Sequence, residues 1–272
     1  MSKRFLSPVA ALLALLIVLP SAAGAFDEIL EGLRDKAEHG DIGAQYNLGI
    51  MYDNGDGVKQ NYEEAVKWYR MAAERGHAGA QNNLGFMYNH GDGVEQNYDE
   101  AIKWYTMAAR QGHPGAQYNL GIMYDNGDGV KQSYDEAVKW YRMAAEFGHP
   151  GAQFSLAFMY DNGDGVKQDY NEAFRLFRKA AKEGHAAAQF NLGIMYARGE
   201  GVKQNYEEAA RWWRSAAKQG HAPAQFNLGF MYLNGFGGMQ DKEEAVKWLR
   251  KAAEQGHGGA IEALAGLGIE ID

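Results

Sequence analysis

The 272-residue chain carries a formal charge of −8, no cysteine, 35 glycines and only 5 prolines, and 46% of its residues are hydrophobic. That hydrophobic share suits a folded protein, and without cysteine the fold has to be held by packing alone. The acidic balance argues against a nucleic-acid partner, which calls for a basic stripe, and against charge-driven binding to anionic lipid.

The chain opens with a leader pattern. Lys3 and Arg4 precede an apolar run from Val9 to Leu19 that is too short to span a bilayer comfortably. Pro20 breaks the run, and Ala23-Gly24-Ala25 supplies small residues for cleavage. Residues 1–25 are therefore expected to be a secretory signal peptide, removed before Phe26. No Cys follows the run, so a lipoprotein anchor is not expected. The expected location is periplasmic or extracellular, with no membrane insertion after cleavage.

From Phe26 onward the sequence matches itself at a spacing of 36 residues. Gly40, Gly76, Gly112, Gly148, Gly184, Gly220 and Gly256 share one column, and Leu48 through Leu264 share another. Residues 26–40, FDEILEGLRDKAEHG, align with Tyr62–Gly76 and read as an N-terminal half-repeat, a lone second helix. Six full repeats fill 41–256. Residues 257–272 hold a C-terminal half-repeat, a lone first helix, and a tail. Half-units at both ends can cap a stack of repeats.

Each repeat reads as two helices. In 41–76 the first runs from about Gly43 to Asp53, with Ala44, Leu48, Met51 and Tyr52 at helical spacing. The second starts at Asn61 and carries a broad apolar face through Tyr62, Ala65, Val66, Trp68, Tyr69, Ala72 and Ala73. Asn61, Asn97, Ser133, Asp169, Asn205 and Asp241 are good N-caps in one column. A Glu follows each of them three residues on, the capping-box pattern. Gly76 and its equivalents end the second helix in a left-handed cap. Pro114 and Pro150 then sit in the first turn of the next helix, where a missing N–H costs nothing.

This unit, GHAGAQNNLGFMYNHGDGVEQNYDEAIKWYTMAA at 76–109, resembles the Sel-one-like repeat (SLR) family, a relative of the tetratricopeptide repeat. The resemblance covers about residues 26–266. It implies an all-α fold: helix-turn-helix units stacked into a right-handed superhelical solenoid with a concave groove. It also implies an adaptor or scaffold that contacts other proteins. Disulfides that brace some exported relatives have no counterpart here.

Three motifs invite chemistry. The DNGDG loop at 53–57 offers carboxylates, but counted as a calcium loop from Asp53 it puts Gly55 and Gly57 at ligand positions 3 and 5. Glycine recurs at 55 and 57 in all six copies, which fits a tight turn needing backbone angles that a side chain forbids. The column His77, His113, His149, His185, His221 and His257 is a ladder whose rungs are too far apart for one metal, and it suits first-helix N-caps or polar groups at the interface between repeats. Ser215-Ala216-Ala217-Lys218 matches the S-x-x-K nucleophile motif, but the S-D-N and K-T-G partners are missing.

The remaining signal lies where the copies differ. First-helix positions 46, 50 and 53 form one stripe, reading Tyr46, Asn82, Tyr118, Phe154, Phe190, Phe226 at its first position. Ile50, Phe86, Ile122, Phe158, Ile194 and Phe230 follow, then Asp53, Asn89, Asp125, Asp161, Ala197 and Leu233. Beside it runs a polar row that includes Asn191 and Asn227. First helices line the concave face in solenoids of the resembled type. The stripe is therefore either a partner-binding face, with aromatic anchors, or filler between helices.

The reading that follows is an exported, non-enzymatic, monomeric scaffold, without metal or cofactor, that binds a protein or peptide through Tyr46, Tyr118, Phe154, Phe158, Phe190, Asn191, Ala197, Phe226, Asn227, Phe230 and Leu233. Two alternatives stand beside it. One is a cell-envelope hydrolase or penicillin-binding, β-lactamase-like protein acting through Ser215. The other is a peptidoglycan or carbohydrate binder using Tyr and Trp rings.

Overall fold

Capping chemistry fixes the helix boundaries from Asp41 onward. The computed structural model describes residues 22–238 and 240–270, and within them the chain forms 14 α-helices, one short 3-10 turn and no strand. The expected leader, residues 1–25, lies almost wholly outside the described residues.

The chain divides into two compact units between Gln132 and Ser133. The first holds α1 (Ala22–Glu38), α2 (Ile42–Asn54), α3 (Tyr62–Glu74), α4 (Ala78–His90), α5 (Tyr98–Arg110) and α6 (Pro114–Asn126). The second holds α7 (Tyr134–Glu146), α8 (Pro150–Asn162), α9 (Tyr170–Lys182), α10 (Ala186–Arg198), α11 (Tyr206–Lys218), α12 (Ala222–Asn234), the 3-10 turn Phe236–Gly238, α13 (Lys242–Ala253) and α14 (Gly258–Gly266). Inside each unit every helix packs on its neighbours in the chain. This is the all-α, 36-residue helix-pair architecture of a solenoid repeat.

First helices start on a side chain three residues back. Asp41 Oδ1 accepts from the Ala44 N–H at 2.7 Å, and His77 Nδ1 accepts from Ala80 at 3.1 Å. The later histidines of the ladder cap in the same way, so the column is a set of N-caps. In the six full repeats these helices end at a glycine in the left-handed region. Gly55 has φ 80°, and both its N–H and that of Asp56 return to the Met51 carbonyl. Gly57, at φ 70°, turns the chain again, which is the tight turn that the two glycines imply.

Second helices start on Asn61 and its equivalents, whose side chains accept from the N–H three residues on. Only half of the expected capping box forms. The Asn61 N–H is already bonded to the Tyr52 carbonyl at 2.9 Å, across the loop, so Glu64 has no donor to reach back for. These glutamates turn forward instead. Glu100 accepts from Lys103 at 2.9 Å and from Trp104 Nε1 at 3.0 Å, and Glu244 does the same with Lys247 and Trp248. At the far end, Gly76 N–H bonds Ala73 O and His77 N–H bonds Ala72 O, a Schellman closure that leads straight into the next cap.

The core repeats with the helices. Leu48, Tyr69, Leu84, Tyr105, Leu192 and Leu228 are almost fully buried, each contributing on the order of 2 kcal/mol through apolar burial. Gly49 lets α3 approach: a Cβ there would lie 2.4 Å from the Tyr69 ring. The polar exception is Gln45 and its column. Gln45 Nε2 donates to Ala37 O at 3.0 Å and Gln81 to Ala73 O, satisfying carbonyls at the end of the preceding helix.

Candidate interaction surface

The stripe is placed by the geometry of the first helices, with its residues one above another on a face that second helices cover only in part. In the first unit its members are held inward. Ile50 and Asp53 are buried, and the Tyr69 hydroxyl donates to Asp53 Oδ2 at 3.2 Å. Burial, reinforced by that carboxylate, drives the Tyr69 phenol far above its ordinary range. Tyr46 and Tyr118 are half-buried. Asn82 fills the aromatic slot of the second repeat and accepts from Asn119 Nδ2 at 3.1 Å, so here the polar row bonds to the stripe.

In the second unit the stripe is more open. Phe154, Phe190 and Phe226 on α8, α10 and α12 are half-buried, whereas Phe158 and Phe230 are 46% and 45% exposed. Asn191 and Asn227 lie half-buried beside them, and Asn191 Nδ2 donates to its own helix at Ala187 O, 3.0 Å away. Ala197 packs against the cluster that holds Trp213, and Leu233 is half-buried near the end of α12.

The aromatic stripe and the histidine ladder meet, which reading single columns does not reveal. At Tyr46, Phe154, Phe190 and Phe226 the ring lies over the imidazole that caps the next first helix. Centroid distances are 4.3 Å for Tyr46–His77, 4.7 Å for Phe154–His185, 4.8 Å for Phe190–His221 and 4.6 Å for Phe226–His257. One edge of these rings therefore braces adjacent repeats while the other remains accessible. The constant offset of 31 residues between the two columns was the available signal. Burial lowers the pKa of His77, His113, His185 and His221, which keeps the neutral ring that a cap needs.

The first-position rings also lead to residues outside the expected site. Phe226 is 6.2 Å from Phe230, Phe230 is 6.2 Å from Phe236, and Phe236 is 5.4 Å from Tyr206. Phe236 and Tyr206 are 41% and 36% exposed. Phe236 stands where the other copies have Asp56, Asp92, Asp128, Asp164 and Glu200, so its column marks it as the odd member.

Ser215 does not sit in a reactive setting. It lies within α11, and its hydroxyl donates to Arg211 O, one turn back, at 3.2 Å. Among the described residues no group of three or more His, Cys, Asp or Glu is placed to hold a metal, and no helix is long and apolar enough to cross a membrane.

Comparison with known proteins agrees with this architecture. Residues 42–77, 78–113, 114–149, 150–185, 186–221 and 222–257 each match the Sel1 repeat. A protective antigen present in uropathogenic Escherichia coli strains, displaying an SLR fold, is 40% identical over 86% of this chain and 50% of its own, with a TM-score of 0.81. This chain thus spans half the length of that relative. A Sel1 repeat protein from Oxalobacter formigenes is 37% identical over 90% of this chain and 99% of its own, with a TM-score of 0.79. No curated protein matches. With six consecutive units spanning residues 42–257, the chain belongs to the Sel1 repeat family, a fold that generally serves as a protein–protein interaction scaffold.

Proposed function

We propose that this chain is an exported, non-enzymatic scaffold that binds a partner protein along the first-helix stripe, on the concave face of its repeats. The observation that carries this reading is the exposure of Phe158 and Phe230 at a slot filled by Ile50, Ile122 and Ile194 in other copies. A phenylalanine half in water gains little from the fold, whereas aromatic rings held on a rigid frame are effective binding anchors. Their neighbours Phe154, Phe190 and Phe226 are fixed by stacking on capping histidines, so little ordering entropy is lost on binding. Export rests on the leader pattern of residues 1–25. The Escherichia coli relative is described as a protective antigen, which is compatible with a protein outside the cytoplasm.

The test is crosslinking in the exported compartment followed by mass spectrometry, with N-terminal sequencing of the recovered chain. Phe158→Ile and Phe190→Asn introduce residues the chain already uses at those positions, Ile50 and Asn82, so the helices are retained. Loss of a captured protein with both variants supports the stripe. Undiminished capture removes it, and a recovered chain beginning at Met1 removes the export reading.

A further inference from the structure

The sixth repeat departs from its siblings at one place. In the first, third and fourth repeats the loop is ordered by an Asn–Asp pair: Asn54 Nδ2 to Asp56 at 3.1 Å, Asn126 to Asp128 at 3.0 Å, Asn162 to Asp164 at 3.2 Å. Phe236 replaces that aspartate. Asn234 then donates to Phe230 O at 2.8 Å, and the loop becomes the 3-10 turn Phe236–Gly238. The exchange loses a loop hydrogen bond and puts a ring in water. What it creates is the run Tyr206–Phe236–Phe230, three exposed rings in sequence at the loop end of α11 and α12.

The charge around this run is one-sided. Within the second unit, residues 161–172, 197–208 and 233–244 contain 10 acidic residues and 4 basic ones. These windows thus carry −6, and the rest of that unit carries +4. In the sixth copy Asp241, Glu243 and Glu244 follow the rings. Glu207 adjoins Tyr206, and its backbone N–H lies against Gly237. An anionic lipid surface or a second copy of this acidic edge would be repelled, and a neutral glycan would gain nothing from the carboxylates.

We propose that Tyr206, Phe230 and Phe236 dock a basic peptide segment of the partner protein. Its apolar side chain would rest on the rings, and its Lys or Arg groups would face Glu207, Asp241 and Glu243. This deepens the scaffold reading and rests on it. It also moves the specificity element from the shared stripe to the one loop that is not repeated.

The probe is a displayed library of random 12-residue peptides, selected on the processed protein and, in parallel, on its Phe236→Asp and Phe230→Ile variants. Both substitutions restore the chain's own residue at that slot, and circular dichroism verifies helix content. The expected result is a roughly tenfold or greater enrichment of peptides pairing Lys or Arg with an aromatic or aliphatic residue, lost on Phe236→Asp. Equal recovery of acidic and basic peptides overturns the proposal. So does enrichment unchanged by Phe236→Asp, and so does binding to cell-wall sacculi or self-association that this substitution abolishes. Crosslinking separates the two readings. A partner still captured by Phe236→Asp but lost with Phe158→Ile and Phe190→Asn leaves the scaffold standing and removes the patch.

Discussion

Single hydrogen bonds distinguish otherwise equal copies. Where the residue that ends the second helix is glutamine, its amide donates to the buried glutamine of the preceding first helix: Gln111 to Gln81 at 2.7 Å, Gln219 to Gln189 at 2.9 Å, Gln255 to Gln225 at 2.8 Å. In the fourth repeat that position is Glu183, which carries no amide donor, and the buried Gln153 Oε1 is without a partner. Glu183→Gln is expected to supply the bond and stabilise the protein by about 1 kcal/mol. Urea titration monitored by circular dichroism measures it, and an unchanged or lower midpoint refutes it. Asp161 presents a second gap. Its equivalent Asp53 accepts from the Tyr69 hydroxyl, but the residue facing it from the second helix is Phe177. Asp161 Oδ1 is left buried and unpaired, and burial, followed by the nearby Glu200, raises its pKa. Phe177→Tyr should donate to that oxygen and bring the carboxyl pKa back down, read from the Asp161 side-chain carbon shift in an NMR titration. A pKa that stays raised would show that the hydroxyl has found another acceptor.

At the scale of the helix, the N-caps link stability to pH. His77, His113, His185 and His221 accept a backbone N–H through Nδ1, which the protonated ring cannot do. Burial lowers all four pKa values, and His77 and His185 push down the neighbouring His113 and His221. With folded values below about 6.5 and unfolded ones near it, the unfolded chain binds more protons in between. The stability these groups contribute is therefore full above about pH 6.5 and is lost as pH falls through the folded values. Each lost cap costs about 1 kcal/mol. The raised Asp161 acts in the opposite sense as pH rises above its ordinary 3.8. The thermal midpoint should fall between pH 7 and pH 5. Replacing the four histidines by Asp, the cap already present at Asp41, should flatten that slope; a slope that persists assigns it elsewhere. Such caps were legible in the sequence because a cap is a local event, read from one residue and the turn after it. The forward-turned glutamates were not, since the competing bond from Asn61 to Tyr52 O joins residues nine apart across the loop 55–61. The ring-on-histidine stacks were also hidden, because they join columns 31 residues apart. Ala197 illustrates the same limit: it packs in the cluster of Trp213, whose Nε1 bonds Phe190 O at 3.0 Å, so part of its apolar character answers to α11.

Across the whole molecule, repetition converts small local biases into a large charge imbalance. In residues 53–64 and the five equivalent windows, four acids per window in the first four repeats and three in each of the last two are unremarkable one at a time, since Asp and Glu favour the first turn of any helix. Copied six times at the same end of the helix pair, they leave −16 in the windows and +8 elsewhere. Some of these carboxylates are used inside the fold, Asp56, Asp128 and Asp164 in the loops and Asp169 and Asp241 as caps, whereas the exposed pairs to Lys103, Lys139 and Lys247 add little stability. Their main consequence is for encounter with other molecules. A basic partner should be steered toward the loop ends of the helices, and the rings of the sixth copy would then hold it. Steering and holding separate kinetically: charge acts on the association rate, buried rings on dissociation. Raising salt from 0.05 to 0.5 M shortens the Debye length from above 10 Å to well below it, and the association rate should drop by roughly tenfold or more with little change in dissociation. Asp164→Asn and Glu200→Gln together, in the same unit as the rings but in earlier repeats, should reproduce part of that drop. Stopped-flow binding with the selected basic peptide resolves the two constants; if these substitutions change only dissociation, the acidic edge acts by contact and not as a field.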